Sequence, residues 1–296
     1  MYLLPLPLLF LLHACGDASD DTGPGGDPGP SCWTDLAPGE TAVVAGGFTE
    51  GTEGLAFVDG RLFVTTPTQV VEIQPDGISA PLVTVGAALG LAPVEGGLLL
   101  ADPGEFSFGG DEDGRIWRVG LDGQVDLVSE GWSNPNFLAP TPWGSVLMSD
   151  DTRDGLVDID LATGEGRTFL ETVPSPNGIV LFEDRVVVAS TFVEDGAIWQ
   201  APVAAGEAGA AELLGTTVAG GANDGLAAGR DGGVWVAVNL AGEIWQMPAS
   251  GEGSRLVGGL DSPASLALGE GDAWDPCSLY VSSLFGEEVL RVAVGG

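Results

Sequence analysis

A unit of about 42 residues, repeated six times, constrains this chain more than any other feature of its sequence. The plan is clearest at Asn223–Met247, where an Asn-Asp-Gly segment leads into a short apolar strand. An Asp-Gly reversal, a second apolar strand and a third strand with a central Trp follow. The first strands of the first and sixth copies begin near Leu55 and Leu266, which gives the mean period. Such a period is typical of β-propellers.

The repeats predict an all-β fold, a six-bladed β-propeller of four-stranded antiparallel blades. Second strands are apolar on both faces, as in Leu98-Leu99-Leu100-Ala101, which is expected for strands covered by a neighbouring sheet on each side. The sixth copy ends at Arg291-Val292-Ala293 without an outer strand, whereas Thr41–Ala45 precedes the first copy. We therefore expect the N-terminal strand to complete the last blade and close the ring.

The first 31 residues differ in composition from the repeats. Residues 1–15 form an apolar run of the length of an export signal, and its end, Leu12-His13-Ala14-Cys15, resembles a bacterial lipobox with Cys15 as the lipidated residue. An ordinary cleaved signal is the alternative, because no Lys or Arg precedes the run and His13 is bulky. Residues 16–31 lack the apolar residues needed for a core and predict a flexible tether. The propeller then spans residues 32–296.

These segments predict an exported bacterial lipoprotein that faces the periplasm or the cell surface and contacts the membrane only through a lipid anchor. The two remaining cysteines, Cys32 and Cys277, lie near the two ends of the predicted propeller. In an oxidising compartment we expect a disulfide between them, which would lock the closure of the ring. Two unpaired buried thiols are the alternative.

Charge excludes several classes of function. The chain has 43 acidic residues and 9 basic ones, for a formal net charge of −34, and its cations are single, scattered arginines. Nucleic acids and anionic membranes need clustered cations, so neither is an expected partner. The chain has no Lys, and its one His lies in the predicted signal, which excludes His-based and Schiff-base catalysis in the mature protein. We expect a monomer that acts on a small molecule.

Oxygen-bearing side chains stand at the start of four first strands, namely Glu53, Asn136, Asn177 and Asp224. First strands line the central channel of a propeller, so these side chains should converge on one mouth. Two carboxylates and two amides form a hard, all-oxygen ligand set that suits Ca²⁺, with Mn²⁺ or Zn²⁺ as other candidates. The alternative is that these are turn residues, because Asn-Gly and Asp-Gly are common in turns.

At these positions the chain resembles the six-bladed propeller family of senescence marker protein (regucalcin), gluconolactonase and luciferin-regenerating enzyme. Its motifs are Glu-Gly in the first blade, Pro-Asn in the third, Asn-Gly in the fourth and Asp-Gly-Leu in the fifth. The resemblance implies that Glu53, Asn177 and Asp224 bind the metal and that Asn136 borders it and helps to hold the substrate.

Two departures from the family pattern bear on specificity. Asn134 stands where family lactonases have an Arg that binds substrate, and Phe137 replaces an Asp. Because this positively charged side chain is missing, we expect Asn134 to contact a less anionic ligand than a sugar-acid lactone.

The resulting hypothesis is a divalent-metal-dependent hydrolase of lactones or related esters. The cation would polarise the carbonyl and a bound water, and Asp224 would take the water's proton as the catalytic base. The alternative is a non-catalytic cell-surface binding propeller with a structural metal. An open cavity beside the oxygen cluster would favour the enzyme.

Overall fold

A computed structural model describes residues 31–33, 35–105 and 112–295, and all of their strands lie in one compact unit, Cys32–Gly296. The predicted export signal with Cys15, and the predicted tether up to residue 30, lie outside the described residues and stay predictions. In the described part of the chain, no helix has the length and apolar character that crossing a bilayer requires.

The described residues contain 25 strands. The N-terminal strand is β1 (Thr41–Gly46). The first blade consists of β2 (Leu55–Val58), β3 (Arg61–Thr66), β4 (Gln69–Ile73) and β5 (Ser79–Thr84). The second consists of β6 (Leu91–Val94), β7 (Gly97–Asp102), β8 (Gly114–Gly120) and β9 (Val125–Trp132). The third consists of β10 (Leu138–Pro140), β11 (Ser145–Ser149), β12 (Leu156–Asp160) and β13 (Gly166–Leu170).

The fourth blade has a fifth, two-residue strand and consists of β14 (Pro176–Leu181), β15 (Arg185–Ser190), β16 (Ala197–Ala204), β17 (Glu207–Ala208) and β18 (Glu212–Thr216). The fifth consists of β19 (Asn223–Ala228), β20 (Val234–Val238), β21 (Glu243–Met247) and β22 (Ser254–Gly258). The sixth contains β23 (Pro263–Leu268), β24 (Ser278–Ser283) and β25 (Glu288–Ala293). Each sheet is antiparallel, and the first strands of the six blades contact one another in a closed ring. The predicted six-bladed propeller is confirmed.

Each second strand is buried on both faces because it lies between two neighbouring blades. In β3, Leu62, Phe63 and Val64 have no exposed surface. Successive side chains point to opposite faces of a strand. Phe63 accordingly packs with Leu98 of the second blade, whereas Leu62 and Val64 pack in a cluster with Tyr280 of the sixth. This arrangement explains the continuous apolar runs of the sequence.

The N-terminal strand closes the ring, as predicted. β1 pairs antiparallel with β25, with Thr41 opposite Val292, and so forms the outer strand of the sixth blade. A disulfide joins Cys32 to Cys277, with a Cα–Cα distance of 5.2 Å, and the alternative of two free thiols does not hold. The segment before β1 is held further by an ion pair between Asp35 and Arg291.

A β-bulge opens the first strand of every blade. In the fifth blade the register passes from Asn223↔Val238 to Leu226↔Val236, so that two residues lie opposite one. In the first blade the same arrangement appears as hydrogen bonds from Glu53 N to Thr65 O and from Thr65 N back to Gly54 O. Bulges re-aim side chains. We call the first bulge residue of each blade its axial position, and these are Glu53, Leu89, Asn136, Asn177, Asp224 and Ala264.

Glycine follows the axial position in four blades, at Gly54, Gly90, Gly178 and Gly225. A Cβ atom on Gly225 would lie 2.6 Å from Ala264 O and 2.8 Å from Ser265 Cα in the sixth blade. These are backbone atoms that cannot move aside. Glycine is therefore required in these four blades, where the strand meets the backbone of the next blade around the axis.

Gly225→Ala should destabilise the protein by about 1–3 kcal/mol, because the new methyl group overpacks the contact between the fifth and sixth blades. Gly46→Ala is the matched control, since a Cβ atom there would meet nothing closer than 3.8 Å. Guanidinium denaturation midpoints would measure both. Equal midpoints for the two variants would show that the blades do not meet as closely as described.

Candidate metal and catalytic site

The structure brings the four predicted residues to equivalent axial positions in the first, third, fourth and fifth blades. Asn177 lies within β14 and Asp224 within β19, and neither has a positive φ. Their Asn-Gly and Asp-Gly pairs therefore mark β-bulges, and the alternative that they are turn residues is wrong for these two pairs. The remaining axial residues, Leu89 and Ala264, are apolar.

A third carboxylate, which the sequence analysis missed, belongs to the same cluster. Asp151 follows β11, the second strand of the third blade, and is 8% exposed. The side chain of Asn136 donates a hydrogen bond to it. Aligning the residues that follow the second strands would have indicated this position, because the fifth blade has Asn239 there and Asn239 touches Asp224.

Asp224 is held by two amides. Asn239 Nδ2 donates to Asp224 Oδ2 over 3.1 Å, and the side chain of Asn177 donates to the same carboxylate. Within this cluster of described residues, two buried acceptors then remain without a partner, Asn177 Oδ1 and Asp151 Oδ1. Buried acceptors without donors are rare in folded proteins, and a bound cation is one way to satisfy them.

Burial and mutual repulsion make the three carboxylates hard to ionise together. Burial, and then the charge of Asp151, raise the pKa of Glu53 to about 8. The pKa of Asp224 is raised well above its usual range by burial and by the charges of Glu53 and Asp151. Burial and the neighbouring Asp150 raise the pKa of Asp151 to about 6. Among the described residues, no cationic side chain forms an ion pair with Glu53, Asp151 or Asp224, although Arg153 pairs with the neighbouring Asp150.

The ligand chemistry fits a hard divalent cation only if the amides take part. In the described residues, no group of three His, Cys, Asp or Glu side chains is placed to hold a metal by itself. Carboxylate and amide oxygens together are a set that Ca²⁺ accepts. The unpartnered amide oxygen of Asn177 and carboxylate oxygen of Asp151 are the atoms that such an ion would satisfy.

Asn134, predicted to contact substrate, is 1% exposed, and its amide nitrogen donates to Ser133 Oγ and Thr152 Oγ1. Its role in binding a ligand stays a prediction. Glu53, in contrast, is partly exposed and lines an open cavity of about 270 Å³. The cavity therefore meets the oxygen cluster at Glu53.

No family model matches the chain, and no curated protein matches it. Solved structures do. A candidate gluconolactonase from a structural genomics programme superposes with a TM-score of 0.69 at 20% identity, over 86% of this chain and 91% of that one. A gluconolactonase of Xanthomonas campestris gives 0.68 at 16% identity, over 90% and 98%. A virginiamycin B lyase of Staphylococcus aureus gives 0.59 at 13% identity, over 86% and 98%.

This chain is a six-bladed propeller with the fold of the gluconolactonase structures. The fold that the motif resemblance implied is thereby confirmed. At these identities the likeness carries the fold alone, and the lyase shows that one architecture serves different chemistries. Function must be argued from the residues of the site.

The metal-free protein should lose stability as the pH rises from about 4.5 to about 8. An acid whose pKa is raised by folding binds its proton more tightly in the folded state than in the unfolded state. Its contribution to stability is therefore fully present at low pH and is lost as the pH rises. For Glu53 the loss extends from the ordinary pKa of 4.5 to the raised pKa of about 8. Urea denaturation in EDTA at pH 5 and pH 8 would measure the loss.

Two variants separate this effect from the general repulsion of a highly acidic chain. Glu53→Gln should reduce the loss of stability between pH 5 and pH 8, whereas Glu95→Gln, at an exposed position, should not. Saturating Ca²⁺ at pH 8 should restore stability to the unsubstituted protein. A pH dependence that is identical in both variants would contradict the site electrostatics.

Proposed function

We propose that the protein is a divalent-metal-dependent hydrolase of lactones or related esters. The observation that carries the proposal is the pair of unpartnered buried oxygens, on Asn177 and Asp151, within a cluster of three carboxylates that form no ion pair with a described cationic side chain. An open cavity meets this cluster at Glu53, where a small molecule would approach the cation. A metal site beside an open cavity is typical of a catalytic ion, whereas a structural ion is surrounded by protein ligands.

Glu53, Asn177 and Asp224 would hold the cation, as the resemblance implies, and Asp151 would add a fourth oxygen ligand or a nearby negative charge. Ca²⁺ is the preferred candidate because the ligands are all oxygens, and Mn²⁺ and Zn²⁺ are the alternatives. When bound, such a cation supplies Lewis-acid polarisation of a carbonyl and lowers the pKa of a water molecule. Its charge would also offset the repulsion between the carboxylates.

Asp224 is the proposed catalytic base. It would take a proton from the attacking water, while the water oxygen adds to the lactone carbonyl carbon. The ring C–O bond then breaks, and the proton passes from Asp224 to the departing alkoxide, so that a lactone and water give a hydroxy acid. The hydrogen bonds from Asn239 and Asn177 hold the carboxylate in one orientation throughout. Asn136 would border the bound substrate and position Asp151.

The comparisons support the substrate class at a coarse level, since two similar structures are described as gluconolactonases. Asn134 stands where family lactonases have an Arg, at the position that would bind a charged sugar acid. Because the chain itself carries a net charge of −34, an anionic substrate would also be repelled over longer distances. A neutral lactone or ester is therefore favoured over a sugar acid.

Asp224→Asn should lower kcat for lactone hydrolysis by a factor of about 10² to 10⁴, because an amide cannot accept the water's proton. Hydrolysis of lactones and aryl esters would be followed with Ca²⁺, Mn²⁺ or Zn²⁺ and after removal of metal by EDTA. The matched control is Asp272→Asn, which removes one charge at an exposed position. Activity that is indifferent both to EDTA and to Asp224→Asn would exclude the proposal.

Asp151→Asn should weaken Ca²⁺ binding by about tenfold or more, since it removes one of the three site charges while keeping an oxygen in place. Isothermal titration calorimetry would compare it with Asp195→Asn, an equal loss of charge at an exposed position. If both variants weaken Ca²⁺ binding equally, Asp151 acts only through the overall charge of the protein.

A further inference from the structure

The mouth of the ring is divided into a polar half and an apolar half. Blades three to five supply the axial residues Asn136, Asn177 and Asp224, whereas blades two and six supply Leu89 and Ala264. Glu53, in the blade between those two, is the one oxygen-bearing axial residue of the apolar half.

A second set of equivalent residues repeats the division. On each second strand, one residue lies opposite the two bulge residues. We call the residue two places after it the rim position. In blade order these residues are Pro67, Pro103, Asp151, Thr191, Asn239 and Leu284. The rim is therefore polar in blades three to five and apolar in blades six, one and two, and the axial set follows the same division except at Glu53. The two sets are in contact, because Asn239 bonds Asp224 and Asp151 bonds Asn136.

The cavity of about 270 Å³ lies in the apolar half. Its walls include Leu89, Leu284, Pro67 and Pro103, together with Glu50, Thr52 and Thr66, and it meets the oxygen cluster at Glu53. A sugar hydroxyl placed against the two leucines and two prolines would lose its hydrogen bonds to water without finding protein partners, which is unfavourable. An alkyl group placed there would gain from leaving water.

We propose that this cavity binds the alkyl part of the substrate, so that the substrate is an amphiphilic lactone or ester with a short alkyl chain and not a polyhydroxylated sugar lactone. The carbonyl group would face the polar half of the mouth while the chain fills the apolar half. This inference rests on the proposed function and adds the substrate class. A cavity of this volume is small for a ligand pocket, so the benefit of a longer chain ends once it is full.

The test is a series of γ-lactones from γ-valerolactone to γ-dodecalactone, with gluconolactone for comparison, in saturating Ca²⁺. For the unsubstituted protein, kcat/KM should rise about threefold to fourfold with each early methylene and then level off. Leu284→Ser should flatten this dependence. The matched control, Leu213→Ser on the outer strand β18, where Leu213 is 51% exposed, should keep it.

Leu89→Ser is the second variant, which keeps the test decisive if Leu284→Ser does not fold by circular dichroism. Binding of the same lactones would also be measured by calorimetry. The inference would be overturned if neither kcat/KM nor Kd changed with chain length. It would also be overturned if kcat/KM depended on chain length in both cavity variants as it does in the unsubstituted protein. A Kd that falls with chain length but no turnover with any cation would support the ligand class and exclude the proposed hydrolysis.

Discussion

Every part of this molecule depends on the close approach of six first strands around one axis. Their backbones come so near that no Cβ atom fits at Gly225, where it would overlap the sixth blade. The sheets are then covered on both sides, which is why Leu62, Phe63 and Val64 can be buried in succession. The sixth blade must also be completed by β1, since a ring with a missing outer strand would expose unpaired backbone groups and the side of the core.

The same convergence creates the electrostatic problem of the site. Equivalent positions in a ring face a common axis, so acidic residues at several of them repel one another in a place where water is scarce. The raised pKa values of Glu53, Asp151 and Asp224 express this repulsion. A protein gains no stability from such a cluster, and charged groups that are hard to bury are often kept for function. The amide donors around Asp224 hold the carboxylate in place without neutralising it.

Much of the fold could be predicted from the sequence because each blade is a local unit. Strand patterns and the period of the repeat depend on neighbours within about 42 residues, and the structure places the first strands where those patterns predicted, from β2 at Leu55 to the sixth blade at Leu266. Axial residues could be predicted for the same reason. Asp151 was missed because it belongs to the loop after a second strand, and its proximity to Glu53 arises between blades.

The sequence by itself determined the number of blades, the closing strand, the pairing of Cys32 with Cys277 and the four oxygen-bearing axial residues. These follow from period, composition and order along the chain. Tertiary structure alone decided that the Asn-Gly and Asp-Gly pairs are bulges, that Asp151 joins the cluster, and that the mouth has a polar and an apolar half. The reason is physical. The bulges depend on how the first and second strands of a blade pair, and the cluster and the two halves depend on side chains that several blades bring together, so none of these properties exists before the chain has folded.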